Sequence, residues 1–95
     1  MIDSVEEEVD ILERHLHILQ MVVNNGPIGI VKMSNESDHA HHEVRYSLRV
    51  LEEENLINPT QQGAVSTDQT RSFIENLDEQ IDEMRARIAA MKSSD

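Results

Sequence analysis

Residues 44–57 read VRYSLRVLEEENLI, and an apolar periodicity runs through them. Val44, Leu48 and Leu51 recur at steps of four and three, which places them on one face of a helix expected over about 38 to 55. The opposite face carries polar and charged side chains, namely His42, Arg45, Tyr46, Arg49 and Glu53. The stretch therefore predicts an amphipathic helix whose exposed face contains two arginines.

Two further helices are predicted before this one. Ser4 and Glu7 have the spacing of a capping box and are expected to begin the first helix, which continues on an apolar stripe at steps of four and three. Pro27 is expected at the first position of a short second helix. The polar run 34–38 is expected to be a turn, and its last two residues are candidates for the N-cap of the third helix.

A compact hairpin and a long helix are predicted after the third helix. Residues 58–66 place turn formers between two short β-capable pieces. Ser66 or Thr67 then caps a fourth helix over about 68 to 91, whose roughly 24 residues span about 36 Å. Its apolar residues follow the heptad spacing of a helix–helix seam: Phe73, Leu77, Ile81, Met84, Ile88 and Met91. One chain leaves this seam exposed, so we expect a homodimer formed through it.

The composition favours a mainly α fold with a short β-hairpin wing. Among 95 residues there is one Phe, one Tyr and no Trp, so the core must be built from Val, Ile, Leu and Met. The predicted order of elements is that of a winged helix-turn-helix, whose third helix enters the major groove of DNA. We expect a DNA-binding domain over residues 1–67 and a coiled-coil dimerisation helix over residues 68–95.

Several classes of protein are disfavoured. The absence of Cys excludes disulfides, thiolate metal sites and Cys nucleophiles. No stretch approaches the roughly 18 apolar residues of a membrane span, and the first residues lack the pattern of a signal peptide, so we expect a cytoplasmic protein. No phosphate-binding Gly loop or nucleophile–base pattern is present, and no enzymatic activity, cofactor or metal is predicted.

The local sequence resembles that of known winged-helix regulators. Residues 44–57 resemble the recognition-helix end of that family, an arginine-bearing helix followed by Leu-Glu-x-x-Gly-Leu-Ile, and Asn55 stands where the family has Gly. Asn also tolerates the left-handed conformation needed at a helix C-terminus. Residues 12–67, including GIVK at 29–32 and PTxxGAV at 59–65, look like the small archaeal winged-helix regulators, especially those of halophiles, and more loosely like MarR- and PadR-type proteins. The resemblance implies a dimeric DNA-binding repressor or activator.

The candidate DNA contacts lie on the third helix and its neighbours. Arg45 and Arg49 are one helical turn apart, and guanidinium groups bind guanine edges or phosphates. Lys32 and the N-terminus of the third helix are candidates for phosphate contacts, and Gln61 and Gln62 at the hairpin tip for backbone or minor-groove contacts. The full predicted set is Arg45, Arg49, His42, Tyr46, His41, His39, Lys32, Gln61 and Gln62.

Each assignment has a simpler alternative. The two arginines can instead pair with Glu52 or Glu53 on a solvated face, and Tyr46 can be half-buried under the hairpin. Histidine is a common metal ligand, so a metal cluster is an alternative role for His15, His17, His39, His41 and His42. We expect them instead to be surface or base-contacting residues.

The net charge of −11 opposes DNA binding, because phosphate contacts need Lys and Arg. The acids are unevenly distributed: residues 1–26 carry six acids and one base, residues 27–50 three of each, and residues 51–95 ten acids and four bases. An acidic surface with little Lys is typical of proteins from salt-rich cytoplasms, where cations can bridge protein and DNA. The alternative is an acidic winged-helix module that binds a basic protein and no DNA.

Overall fold

The computed structural model describes residues 1–93, which form four helices and one two-stranded hairpin. In chain order the elements are α1 (Ile2–Asn25), α2 (Ile30–Ser37), α3 (His41–Glu53), β1 (Ile57–Thr60), β2 (Gly63–Ser66) and α4 (Thr70–Ser93). The predicted fold class, mainly α with a short β-hairpin, is confirmed. Within these residues no helix combines the length and the apolar character needed to cross a bilayer.

The core lies where α1, α2, α3 and the hairpin meet. Its most deeply buried apolar side chains are Ile18, Leu19, Val22, Met33 and Val44. Later parts of the chain complete it with Leu51, Leu56, Ile57, Phe73 and Ile74. Full burial of an apolar side chain of this size stabilises the fold by about 1.5–3 kcal/mol. Because α2 and α3 are too short to be stable alone, their apolar faces hold them in place.

The hairpin is tight and follows α3 closely. Asn55 joins α3 to it with a φ of 60°, which confirms the predicted left-handed conformation at this helix end. Thr60 lies opposite Gly63 in the antiparallel register. The Thr60 hydroxyl donates to the Gly63 carbonyl over 2.6 Å and closes the turn formed by Gln61 and Gln62. The hairpin tip therefore projects two exposed amide side chains.

A short segment between α1 and α2 pairs with the hairpin. The Ile28 N–H donates to the Ala64 carbonyl at 3.2 Å, and the Ala64 N–H donates to the Ile28 carbonyl at 2.9 Å. The Ile28 side chain is buried. The expected helix start at Pro27 is therefore wrong, and α2 begins at Ile30 after Gly29. Two backbone hydrogen bonds and a buried side chain outweigh the preference of Pro for a helix start.

The turn between α2 and α3 also lies later than predicted. The run 34–38 is largely helical, since α2 continues to Ser37, and Asp38 ends it in the left-handed region with φ 61°. Ser37 and Asp38, the predicted N-cap candidates, do not cap α3. Ala40 is the N-cap, and the Glu43 carboxylate accepts its backbone N–H at 2.9 Å. This contact satisfies a donor at the helix start, so a residue without a polar side chain is tolerated there.

The first helix begins earlier than predicted. α1 starts at Ile2 with Met1 as its N-cap, so no capping box forms at Ser4 with Glu7. Acidic side chains near a helix N-terminus are favoured by the helix dipole. The acidic side chains at the beginning of the chain therefore favour a helix that starts before Ser4, so that the serine lies inside the helix.

The last helix runs from the core to one end of the molecule. α4 starts at Thr70, and Thr67, a predicted cap, accepts a hydrogen bond from the Gln69 N–H at 3.2 Å in the preceding turn. The first three residues of the predicted seam are partly buried, and they are Phe73, Leu77 and Ile81. The last three are exposed, and they are Met84, Ile88 and Met91. The molecule is elongated, with extents of 55, 28 and 21 Å.

Gly63→Ala should destabilise the protein strongly. Gly63 has a φ of 131°, and a Cβ there would lie 2.4 Å from the Ile28 carbonyl carbon. We expect a loss of about 2–4 kcal/mol in the free energy of unfolding, because two backbone segments would have to separate. At Gly29 a Cβ would meet nothing within 4 Å, and Gly29→Ala should cost less than about 1 kcal/mol. Urea unfolding measures both, and equal losses would contradict the close approach.

Candidate nucleic-acid interface

The third helix has one buried and one exposed face. Val44, Ser47 and Leu51 are buried. The exposed side chains are those predicted: His42, Arg45, Tyr46, Arg49 and Glu53. Because residues four apart lie on the same side of a helix, Arg45 and Arg49 project from α3 together.

An open groove of about 510 Å³ lies between α3 and the hairpin. Four of the predicted contact residues line it: Arg45, Arg49, Gln61 and Gln62. The rest of its lining is largely apolar and includes Ile28, Ile30, Leu48, Ile57, Pro59 and Ala64. The fold therefore brings the arginines of α3 and the amides of the hairpin tip to opposite walls of one groove.

In the part of the chain that the structure describes, the two groove arginines have no carboxylate partner. Among the described residues, the ion pair within 4.0 Å joins Arg14 to Glu43 and involves neither Arg45 nor Arg49. Glu52 lines the same groove, yet pairing of the arginines with the glutamates at the end of α3 is not observed. Both guanidinium groups are thus available to an anionic ligand, with which they form strong charge-assisted hydrogen bonds.

Tyr46 lies against α1 and not under the hairpin. Its side chain is 50% exposed. Its ring centroid is 5.8 Å from that of His15 and 5.9 Å from the guanidinium carbon of Arg14. Cation–π contacts at partly exposed sites contribute about 0.5–1 kcal/mol. The tyrosine is therefore positioned by α1 while half of its surface remains accessible.

Ser47 joins α3 to α1, although it is a polar residue with no exposed surface. Its hydroxyl accepts a hydrogen bond from Arg14 Nε at 2.9 Å. The same hydroxyl lies 2.8 Å from His15 Nδ1, to which it donates when the neutral ring carries its proton on Nε2. Arg14 Nη1 also reaches Glu43 Oε2 at 3.4 Å. These four side chains form one network that satisfies the polar groups buried between the two helices.

Sequence reasoning did not identify Arg14, His15 or Ser47 as parts of this region. A signal was present at Ser47, which follows Val44 by three residues and precedes Leu51 by four, and so lies within the apolar stripe. A buried polar side chain needs a hydrogen-bond partner. The sequence does not identify that partner, because the partner depends on how α1 packs across α3.

Two groups of this network have altered pKa values. Burial, and then the adjacent Arg14 charge, lowers the pKa of His15 below its ordinary value. The Ala40 backbone N–H, which donates to the carboxylate, is the main cause that lowers the pKa of Glu43. Desolvation, the next largest effect, raises this pKa, and the Arg14 charge lowers it by a smaller amount. At neutral pH the network therefore combines a neutral imidazole with an ionised carboxylate.

The other predicted contacts do not converge on the groove. His39 is partly buried, and its ring centroid is 5.9 Å from that of His17. His41 and His42 are exposed at the start of α3, and Lys32 is exposed on α2. In the part of the chain that the structure describes, no three His, Asp or Glu side chains gather as a metal site requires.

The start of α3 is less open to a phosphate than the sequence suggested. The Glu43 carboxylate occupies the Ala40 N–H, so an anion there would meet a negative charge and an engaged donor. The hairpin contributes no positive charge, since residues 57–66 contain neither Lys nor Arg. Within the groove, the positive charge is supplied by Arg45 and Arg49.

Comparison of the sequence with protein-family models gave no match, and comparison with curated proteins gave none either. The resemblance to winged-helix regulators therefore stays a prediction. What the molecule presents to a ligand is the exposed face of α3 and the groove beside it.

Acidification should destabilise the protein through His15. A histidine whose pKa is lower in the folded than in the unfolded chain contributes stability above the unfolded value of about 6.5, and this contribution is lost as the pH falls through the folded pKa. His15→Gln keeps a hydrogen-bond acceptor but does not titrate. We expect it to reduce the loss of unfolding free energy between about pH 7.5 and pH 5, measured by urea denaturation at each pH.

His41→Gln is the matched control, because it removes an imidazole that is exposed on the same pair of packed helices. A His15→Gln profile as steep as that of the parent and of this control would contradict the assignment.

Proposed function

We propose that this chain is a homodimeric transcriptional regulator that binds double-stranded DNA sequence-specifically. In this proposal α3 enters the major groove and the hairpin lies beside the adjacent backbone. The observation that carries it is the pair Arg45 and Arg49, which are exposed, one turn apart and without a carboxylate partner in the described chain. Guanidinium groups bind O6 and N7 of guanine through two hydrogen bonds, and they also bind phosphates.

The dimensions of α3 suit this role. Its 13 residues span about 20 Å, and a helix about 10–12 Å wide fits a major groove of about 12 Å. The distance along the axis from His42 to Arg49 is about 10 Å, which is the length of about three base pairs. The exposed face of α3 therefore offers contacts to about three consecutive base pairs.

The distribution of charge reconciles this proposal with the acidic composition. Residues 27–50, which contain α2 and most of α3, carry three acids and three bases, whereas residues 1–26 carry six acids and residues 51–95, which include Glu52 and Glu53 at the end of α3, carry ten. At about 1 M salt the Debye length is about 3 Å, so carboxylates further than this from the DNA repel it little. Cations held between carboxylates and phosphates reduce the remaining repulsion.

Two copies are needed to read a symmetric site. Met84 and Ile88 expose apolar surface on α4 that the described residues leave uncovered. A dimer buries this surface and presents two α3 helices related by a two-fold axis. The expected target is a two-fold symmetric site with half-sites about one helical turn, or about 34 Å, apart.

A protein-binding module without DNA affinity is the second candidate. The net charge of −11 and the hairpin without Lys or Arg favour it, because a basic partner protein would be attracted to such a surface. The exposed arginine pair of α3 opposes it. DNA titration of the parent protein separates the two candidates.

Arg45→Ala and Arg49→Ala should each weaken DNA binding about 10- to 100-fold, because each removes a contact worth about 1–3 kcal/mol. Arg71→Ala removes the same charge at the start of α4, beside Val23 and Ile74, away from the α3 groove. This control should keep the affinity within about threefold of the parent. Fluorescence anisotropy with fragments from upstream of the gene measures binding, and circular dichroism verifies the fold.

Parent-like affinity in both α3 variants would reject α3 as the reading surface. No saturable binding by the folded parent at any salt concentration would favour the protein-binding module.

Added salt should weaken DNA binding by this protein less than it weakens DNA binding by an ordinary basic domain. Cations taken up between carboxylates and phosphates offset the counterions that Arg45 and Arg49 release, so affinity should stay constant or rise from about 0.1 M to 2 M KCl. Anisotropy titrations across this range measure the dependence. A steep loss of affinity would reject cation bridging while leaving DNA binding itself intact.

A further inference from the structure

Two helix halves carry apolar stripes that the described chain leaves uncovered. On the N-terminal half of α1 the stripe consists of Val5, Val9 and Leu12, and on the C-terminal part of α4 it contains Met84 and Ile88. All five side chains are 46–53% exposed. Contiguous exposed apolar surface marks an interaction site, because it would otherwise remain in contact with water.

The two stripes extend outward from a contact near the core. There Leu16 and Leu19 of α1 and Leu77 and Ile81 of α4 line one small cavity of about 80 Å³. From this contact towards the helix ends, both stripes continue at steps of four and three, the heptad spacing of helices that pack along their length. Each stripe can therefore pack against the apolar stripe of another helix.

The side chains that flank the uncovered stripes have opposite charges on the two helices. On α1 the flanking residues are Glu6, Glu8 and Glu13. On α4 they are Arg85, Arg87 and Lys92. Residues at these heptad positions select the partner helix, because they meet across the seam. The charges match α1 to α4 and oppose the pairing of either segment with an identical one.

The helix dipole favours Lys92 in the last turn of α4 but does not account for the rest of this distribution. Its effect fades beyond the first and last turns. Glu13 lies about three turns into α1, and Arg85 lies about two turns before the end of α4. In the described residues no ion pair within 4.0 Å joins the flanking acids to the flanking bases. Among the described residues, both sets are therefore without ion-pair partners.

We propose that the acidic half of α1, residues 2–13, packs on the basic end of α4, residues 84–92, of a second copy, and that a two-fold axis repeats this contact. Each stripe is then covered by one with opposite flanking charges. The two segments have similar lengths, about 18 Å for the α1 segment and about 14 Å for the α4 segment. The predicted seam of α4 with itself would instead bring Arg85, Arg87 and Lys92 towards their own copies. This inference rests on the dimer of the proposed function.

Exchange of the flanking charges tests the pairing. One triple variant, Glu6→Lys, Glu8→Lys and Glu13→Lys, makes the α1 segment basic. The other, Arg85→Glu, Arg87→Glu and Lys92→Glu, makes the α4 segment acidic. All six positions are exposed, so both variants should keep the helical circular dichroism of the parent.

The expected result is a rescue on mixing. Alone, each triple variant brings like charges together and should have a dimer Kd raised by about tenfold or more over the parent. In an equimolar mixture both contacts again join opposite charges, and a heterodimer of parent-like Kd should form. Sedimentation equilibrium in about 0.15 M KCl measures the Kd, with an affinity tag on one variant to identify the heterodimer.

A matched control separates pairing from net charge. The triple variant Asp3→Lys, Glu7→Lys and Asp10→Lys makes the same charge change on the side of α1 opposite the stripe, and should dimerise like the parent. A control as weak as the flanking variant would assign the effect to net charge and overturn the pairing.

Three other results would overturn it: a monomeric parent, an α1 variant that dimerises like the parent, or a mixture no tighter than its components. These measurements contain no DNA, so the pairing can fail while DNA binding stands. Loss of DNA binding with the mixing rescue intact would reject only the proposed function.

Discussion

The position of α3 depends on its contact with α1 at Ser47. The buried hydroxyl joins Arg14 and His15 through contacts of 2.9 and 2.8 Å. A buried hydroxyl without partners would cost about 1–3 kcal/mol, so this contact is directional as well as apolar. Because Ser47 lies on the buried face of α3, it also fixes the direction in which Arg45 and Arg49 project. The groove arginines are therefore positioned by residues that do not line the groove.

The order of elements and the exposed face of α3 were predictable, because both follow from local periodicity and from turn-forming residues. The errors occurred where a distant partner decides the conformation. Pro27 would begin a helix on local preference, but the pairing of Ile28 with Ala64 keeps this segment extended. Tyr46 was recognised as exposed or half-buried, whereas its contact with α1 depends on packing that no local pattern contains. The same holds for the hydrogen bonds of Ser47.

Charge in this chain is organised by element, so the net value describes no single surface. Residues 27–50, which contain α2 and most of α3, carry equal numbers of acids and bases, and the groove contains two arginines and Glu52. The acids are concentrated on the beginning of α1, at the end of α3 and on residues 75–83 of α4, while the last turns of α4 are basic. Repulsion between like charges restricts which surfaces of two molecules can pack together. Its effect on folding is smaller, because the charged side chains are exposed and solvated.

α1 connects the contact at Ser47 with a helix half that extends away from the core. Its 24 residues form a rod about 36 Å long. A change of about 5° in the direction of such a rod moves its far end by about 3 Å, which is close to the rise of one base pair. In the proposed dimer, held at that end, the angle between α1 and α3 would set the spacing of the two α3 helices. In the proposed DNA complex, residues outside the DNA contacts, such as Arg14, would then govern which half-site spacing is accepted.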